Sequence, residues 1–278
     1  MTDHAPPSPI AGRASVDDAT ADWITPRWPV PAHVGALCTT RQGGASAAPW
    51  RGFNLGDHVG DDPRVVARHR AQLQRRIGSR PVFLRQVHGQ TLVRLLPETP
   101  DGIEADACIA FAPGLACTVM VADCLPILLS DRRGRFVAAL HAGWRGLCGA
   151  THADGIGVIE SARSALQAAG IALDETLAWL GPCIGPTAFE VGDDVRIAFA
   201  RTQLGSDAFF TPAAGKHQKW FADLPGLARA RLTSLGFGTV FGNDGSEPWC
   251  TMRQPSRFFS HRRDGVSGRM AACVWLRD

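Results

Sequence analysis

Hydrophobic residues along this chain fall mostly into short runs broken by glycine, proline or charge, a strand-like pattern. Such runs predict strands at residues 34–41, 82–87, 91–96, 105–110, 116–122, 127–130, 136–140 and 177–180. Helical spacing is confined to residues 63–77, 151–169, 194–200 and 224–235. Asp62 would cap the first helix, Pro63 suits its opening position and Gly78 its end. In the second, Ile156, Ile159 and Leu166 share one apolar face, and Gly170 closes it. The end of the chain reads as a hairpin, residues 258–263 and 270–276 joined by 264–268. Strands outnumber helices and follow one another with short connections. That predicts an α+β arrangement of mixed or antiparallel sheets with helices packed outside.

Composition narrows the class. Residues 1–22 are rich in Ala, Pro, Ser and Asp without periodicity and read as a disordered tail, whereas residues 23–278 read as one globular domain. The chain has 278 residues, is 45% hydrophobic and carries a net charge of +3. Its arginines are scattered, so no basic stripe for nucleic acid is evident, although single guanidinium groups suit small anions. No run is long and apolar enough to span a membrane. Eight cysteines occur without any C-x-x-C pair, and most sit inside apolar runs as small hydrophobes. No signal peptide is visible, so a reduced cytoplasm is the expected location. A monomer is the expected state.

Three residues carry the most chemical information: His88, Cys124 and His141. Each ends or interrupts a strand-like run beside glycine, proline or a charge. Two imidazoles and a thiolate suit zinc, with a fourth position left for water or substrate. Their separations are 36 and 17 residues, so no short ligand motif is present. Spacing alone leaves open a plain reading, in which both histidines are structural and Cys124 belongs to the core. Gly89 and Gly143 favour the metal reading, because they let backbone approach a ligand. Asp123 could orient an imidazole or move a proton, or could be an ordinary strand-end acid. Arg41, Arg145, Arg262 and Arg263 lie beside turns, where each could bind an anion or form a surface ion pair. On a strand, Arg262 and Arg263 would face opposite ways, so at most one could enter a given site. The polar loop from Asn54 to Asp61 could line a pocket or simply cap the helix after it, and Cys183, in a Gly-Pro-rich turn, lacks a neighbouring base.

Several motifs occur in order: Thr-Thr-Arg-x-Gly-Gly (39–44), Asn-Leu-Gly (54–56), Gln-Val-His-Gly (86–89), Ala-Asp-Cys-Leu-Pro (122–126), His-Ala-Gly-Trp-Arg-Gly (141–146), Gly-Pro-Cys-Ile-Gly (181–185), Arg-Arg-Asp (262–264) and Gly-Arg-Met (268–270). Together they resemble the YfiH, or laccase-domain, family, also called the multicopper polyphenol oxidase family. The resemblance spans about Trp23 to Leu276. It implies a four-layer α/β/β/α sandwich and a metal, usually zinc, on His88, Cys124 and His141. It also implies purine nucleoside phosphorylase activity on adenosine, inosine and methylthioadenosine, with adenosine deaminase activity besides. Arg41 and Arg263 match arginines that lie toward the pocket. His261 stands where the family often has an aromatic, and the chain has no tyrosine.

The corresponding mechanism assigns Cys124, Asp123 and Arg41 to catalysis, and Arg41, Asn54, Arg145 and Arg263 to substrate. For deamination, zinc would lower the pKa of its water toward ~7 for attack on C6 of adenine, with Asp123 as proton carrier. The H-x-E and P-C-x-x-C pattern of the nucleobase deaminases is missing. For phosphorolysis, Arg41 or Arg263 would hold phosphate for attack on the ribose C1′. Three other readings compete. A copper oxidase of phenols needs more histidines than the two at this site, although Cu2+ could still bind. An editing hydrolase of peptidoglycan precursors would use Cys124 as nucleophile. A binding protein would use the metal for folding.

Overall fold

The structure is a computed structural model that describes residues 22–149 and 155–278. The predicted tail, but for Asp22, and the predicted helical start at 151–154 lie outside the described residues. In chain order the elements are β1 (Val34–Cys38), α1 (Pro63–Ile77), β2 (Arg80–Phe83), β3 (Leu92–Arg94), β4 (Ala107–Ala110), β5 (Leu115–Val121), β6 (Leu125–Asp131), β7 (Val137–Ala142), α2 (Trp144–Cys148), α3 (Val158–Ala168), β8 (Thr176–Leu180), β9 (Glu190–Gly192), α4 (Asp193–Thr202), β10 (Phe210–Pro212), β11 (Lys219–Ala222), α5 (Leu224–Ser234), β12 (Val240–Gly242), α6 (His261–Asp264) and β13 (Met270–Leu276).

The fold is α+β with mixed sheets. One sheet has the order β1-β13-β5-β2, antiparallel except for the β2–β5 pair. The other has the order β12-β8-β6-β7-β4-β3, parallel only at its two edges. A small antiparallel sheet, β10-β11-β9, lies beside them.

Strand alternation divides most of the apolar residues between three cores, and a fourth, small cluster holds Val121, Phe258, Phe259 and Met270. On β13, Ala272 and Val274 enter the layer shared with Cys108, Leu128, Val137 and Trp179 of the second sheet. Their neighbours Ala271, Cys273 and Trp275 face Leu73 and Ile77 of α1 instead. On the second sheet, Ile127, Leu129, Ala138 and Leu140 pack with Val158, Ile159 and Leu166 of α3, Phe199 of α4 and Leu227 of α5. The order is therefore helix, sheet, sheet, helices. Strands buried on both faces read as continuous apolar runs rather than as alternating ones.

Helix α1 matches its sequence signals closely. Asp62 accepts from the Arg64 N–H, Pro63 opens the helix, and Gly78 ends it in the left-handed region at φ 72°. Helix α3 starts later than predicted, at Val158, so Ile156 lies outside it and is 39% exposed. The C-terminal hairpin does not form. Residues 258–260 are irregular, 261–264 form the single turn α6, and β13 pairs with β1 and β5. Long-range pairing in the first sheet outcompetes a local partner for β13. The sequence reading also lacked α2, β9–β11 and β12, which are too short to show periodicity.

Candidate metal centre and cavity

The β6–β7 pairing builds half of the centre. Pro126 lies opposite His141 and Leu125 opposite Ala142, so Cys124, just before β6, lies beside the end of β7. His88 arrives on the loop after β2. Its backbone is left-handed at φ 61°, a conformation that costs a non-glycine residue energy and so needs external support. Asp106 supplies that support. Fully buried just before β4, its carboxylate accepts the backbone N–H groups of Val87 (3.2 Å), His88 (2.9 Å) and Gly89 (2.8 Å). The same carboxylate accepts the His141 Nδ1–H at 2.8 Å, which leaves Nε2 as the ring nitrogen that serves Cys124. Gln86 ties the loop to β5: its amide donates to the Met120 carbonyl and accepts from the Met120 N–H.

One donor atom from each of His88, Cys124 and His141 lies within 4.8 Å of the others. Cys124 Sγ is 3.7 Å from His88 Nε2, and the two imidazole rings meet edge to face with centroids 4.8 Å apart. Gly143 permits this closeness, since a Cβ there would lie 2.9 Å from His88 Cδ2 and 3.1 Å from Cys124 Sγ. Burial alone would raise the Cys124 thiol. The charge of His141 and hydrogen bonds from both histidines outweigh it and bring the thiol down to about 6. Burial alone would lower His141. The Cys124 charge and the Asp106 hydrogen bond raise it to about 9. For Asp106, burial is outweighed by the bonds from His141, Gly89 and Val87, which hold it below the usual carboxylate range. Two nitrogens and a sulfur, one imidazole backed by a carboxylate, form a donor set that fits a zinc-like ion.

The trio opens into a cavity of about 820 Å³. Val87, Trp144, Phe189 and Met120 give it apolar walls, and Arg70, Arg85, Arg145, Arg262 and Arg269 give it cationic ones. Arg145 is exposed and stacks over Trp144, 4.4 Å from the ring. Arg262 faces the cavity because α6 is helical, and its Nη1 donates to the Glu190 carbonyl.

Four expected roles need correction. Arg263 does not line the cavity. Its guanidinium donates to the carbonyls of Thr251, Met252 and Phe258 and pairs with Asp264, so it staples the loop before α6. Arg41 also lies outside, donating to the Pro255 and Arg51 carbonyls above the Phe259 ring. Asn54 is fully buried and its amide is saturated: Oδ1 accepts from Gly56 and Arg269, and Nδ2 donates to Gly56 and Asp61. Asp123 borders the cavity but does not orient an imidazole. Its oxygens accept from Thr251 Oγ1 (2.6 Å) and the Arg262 N–H (2.7 Å), so its observed contacts anchor those segments. Cys183 is buried, and its thiol is pushed up by that burial.

A family model described as multi-copper polyphenol oxidoreductase laccase matches residues 35–277. A Pseudomonas aeruginosa protein named purine nucleoside phosphorylase is 46% identical over 256 residues, covering 92% of this chain and 99% of the relative. The chain belongs to the YfiH, or laccase-domain, family. The Escherichia coli member, named purine nucleoside phosphorylase YfiH, is 43% identical over 255 residues, covering 91% of this chain and 98% of its own. Among solved structures, the Neisseria meningitidis protein NMB0706 superposes with a TM-score of 0.81 at 41% identity, covering 92% of this chain and all of its own. The Bacillus licheniformis YfiH structure gives 0.79 at 26% identity, covering 88% and 93%.

Sequence reading missed Asp106, Gln86 and Arg269 as site residues of this YfiH-family chain. Asp106 left a detectable signal, a carboxylate at the mouth of an all-buried strand, Ala105-Asp106-Ala107-Cys108. Gln86 and Arg269 stood inside quoted motifs but had no role until the fold brought them to the cavity. No helix among the described residues is long and apolar enough to cross a membrane.

Proposed function

We propose that this chain is a metal-dependent purine nucleoside phosphorylase, acting on adenosine, inosine or methylthioadenosine, with adenosine deaminase activity at the same centre. One observation carries the reading: the His88–Cys124–His141 donor set shares a single cavity with Arg145, Arg262 and Arg269, which among the described residues pair with no carboxylate, unlike Arg70 and Arg85. The curated relatives' names support the substrate class.

A zinc ion on the trio would supply Lewis-acid charge and acidify a water at the cavity floor. The remaining chemistry falls to the chain. Val87 and Trp144 offer apolar surface to the purine, and unpaired guanidinium groups hold phosphate. In phosphorolysis a phosphate oxygen bonds to C1′ while the bond from C1′ to the base breaks. The base leaves with the electron pair and takes up a proton. Asp123 keeps Arg262 and Thr251 in place around this reaction, as a positioning residue.

The donor count argues against a multicopper oxidase. Among the described residues one such donor group occurs, and it contains two histidines. A specific observation does favour a second reading, hydrolysis of a peptidoglycan precursor: a thiol at about 6 beside His88 and His141 resembles an activated nucleophile.

The test is product analysis with adenosine, with and without phosphate, on protein of measured metal content beside a C124A control. Adenine and ribose 1-phosphate formed only with phosphate, and lost in the control, support the proposal. Absence of turnover in fully metal-loaded protein refutes it. Rapid alkylation of Cys124 in that same loaded protein turns the reading to hydrolysis.

A further inference from the structure

The cavity arginines are not equivalent. Arg70 pairs with Asp57 at 3.1 Å, and Arg85 pairs with Glu104. Arg145 and Arg262 are exposed to water. Arg269 is half-buried, and among the described residues no carboxylate lies within ion-pairing distance of it. Its Nη1 donates to the Ser267 and Gly268 carbonyls, and Nε and Nη2 have no protein acceptor among the described residues. Those two nitrogens form one edge of the guanidinium fork, the edge that matches two oxygens of an oxyanion. A desolvated, unpaired cation is costly, so such a position is built for an anion that arrives.

The surroundings hold Arg269 in place. Its backbone N–H donates to Asn54 Oδ1 at 2.8 Å, and its carbonyl accepts from the Leu55 N–H at 3.0 Å. Gly56 then makes room for the stem: a Cβ there would lie 2.8 Å from Arg269 Cγ and 3.3 Å from its Cβ. Gly56 is not in the left-handed region, so clearance for Arg269 is the requirement it meets. The saturated amide of Asn54 thus acts through Arg269. Neighbouring groups agree with its place beside the centre. Burial lowers the Arg269 pKa, Cys124 and Asp123 oppose that, and the Arg269 charge adds to burial in lowering His58.

We propose that Arg269, seated in the Asn54-Leu55-Gly56 turn, is the residue that receives inorganic phosphate in this cavity. The identity of the anion rests on the phosphorolysis reading. The anion site itself rests on the geometry.

Inorganic phosphate is titrated calorimetrically into the full-length protein and varied in adenosine phosphorolysis, for the parent, R269Q, R269K and G56A, with melting curves for each. The expected result is phosphate affinity about ten- to one-hundred-fold weaker in R269Q. R269K recovers part of this, because a point charge replaces the fork. G56A, which keeps the guanidinium but displaces it, raises the KM for phosphate and leaves that for adenosine unchanged. Equal phosphate affinity in parent and R269Q overturns the proposal, as does a parent that binds no phosphate. So does a variant in which the adenosine KM rises while the phosphate KM holds. Adenosine 5′-monophosphate is compared with adenosine in the same titrations. If R269Q loses only the preference for the nucleotide, the site belongs to a substrate-borne phosphate and the proposal fails. If the parent binds phosphate through Arg269 yet yields no ribose 1-phosphate, the phosphorolysis reading fails and the anion site stands.

Discussion

Replacing Asp106 with Asn tests how the centre is held together. The substitution preserves shape and removes one acceptor oxygen. In the parent, Oδ1 accepts from the His88 N–H and His141 Nδ1–H, while Oδ2 accepts from the Val87 and Gly89 N–H groups. An amide has to turn its NH2 toward one of these pairs. Facing Oδ2's partners, it orphans two N–H groups that stabilise the left-handed turn at His88. Facing Oδ1's partners, it confronts the His88 N–H and can satisfy His141 only by making Nδ1 an acceptor. The proton then moves to Nε2, and that nitrogen loses its lone pair for metal. Hydrogen bonds to a charged group contribute about 1.5–3 kcal/mol each, and two are lost. The relief of leaving a neutral group buried offsets part of this, so a net loss of about 3 kcal/mol is expected. For a chain of this size that lowers Tm by on the order of 6–12 °C. Zinc affinity, measured by chelator competition, falls about 10- to 100-fold. Unchanged zinc affinity together with an unchanged Tm would refute the claim that Asp106 orients His141 and supports His88.

Two further outcomes follow from the same geometry. In metal-stripped protein Cys124 becomes a thiolate as pH rises through about 6, where an ordinary cysteine needs about 9. Its iodoacetamide alkylation is therefore half-maximal near pH 6, nearly complete in rate by neutral pH, and suppressed by added zinc; a midpoint near 9, read by peptide mass spectrometry, would count against the His141 and His88 contacts. Gly143→Ala places a methyl group 2.9–3.1 Å from His88 and Cys124 without demanding a left-handed backbone. Zinc binding should weaken by about tenfold or more, as for a misplaced ligand shell, while the metal-free Tm changes little; intact binding would refute the claim that Gly143 is what lets His88 and Cys124 approach.

Much of this protein was legible in one dimension. The positions of β1–β8 and β13, the capped helix α1 and the three ligand candidates all depend on local chemistry, because strand runs, caps and glycine breaks are written within a few residues. The His88, Cys124 and His141 positions stood out because each carried a soft or nitrogen donor where a strand stops. Arg41 and Arg263 were misplaced because a sequence shows that an arginine is near a turn but not which acceptors the turn offers. Both found several backbone carbonyls outside the cavity, and such acceptors become visible only when loops distant in sequence meet.

The residues that organise the centre were decided in the tertiary structure. Asp106 reaches His141 across 35 residues and Val87 across 19, so its four hydrogen bonds exist only after β4 and β7 pair. Asn54 and Arg269 meet across 215 residues, and Asp123 and Arg262 across 139. The sequence by itself determined which atoms could bind a metal and where the longer strands run, since those follow from side-chain chemistry and short-range pattern; the short strands β9–β12 and the turn at 261–264 did not show in it. Which charges stay unpaired, which carboxylate aims an imidazole and which arginine faces the cavity are consequences of long-range packing. A buried polar group takes its role from the partner that the fold brings within about 3 Å.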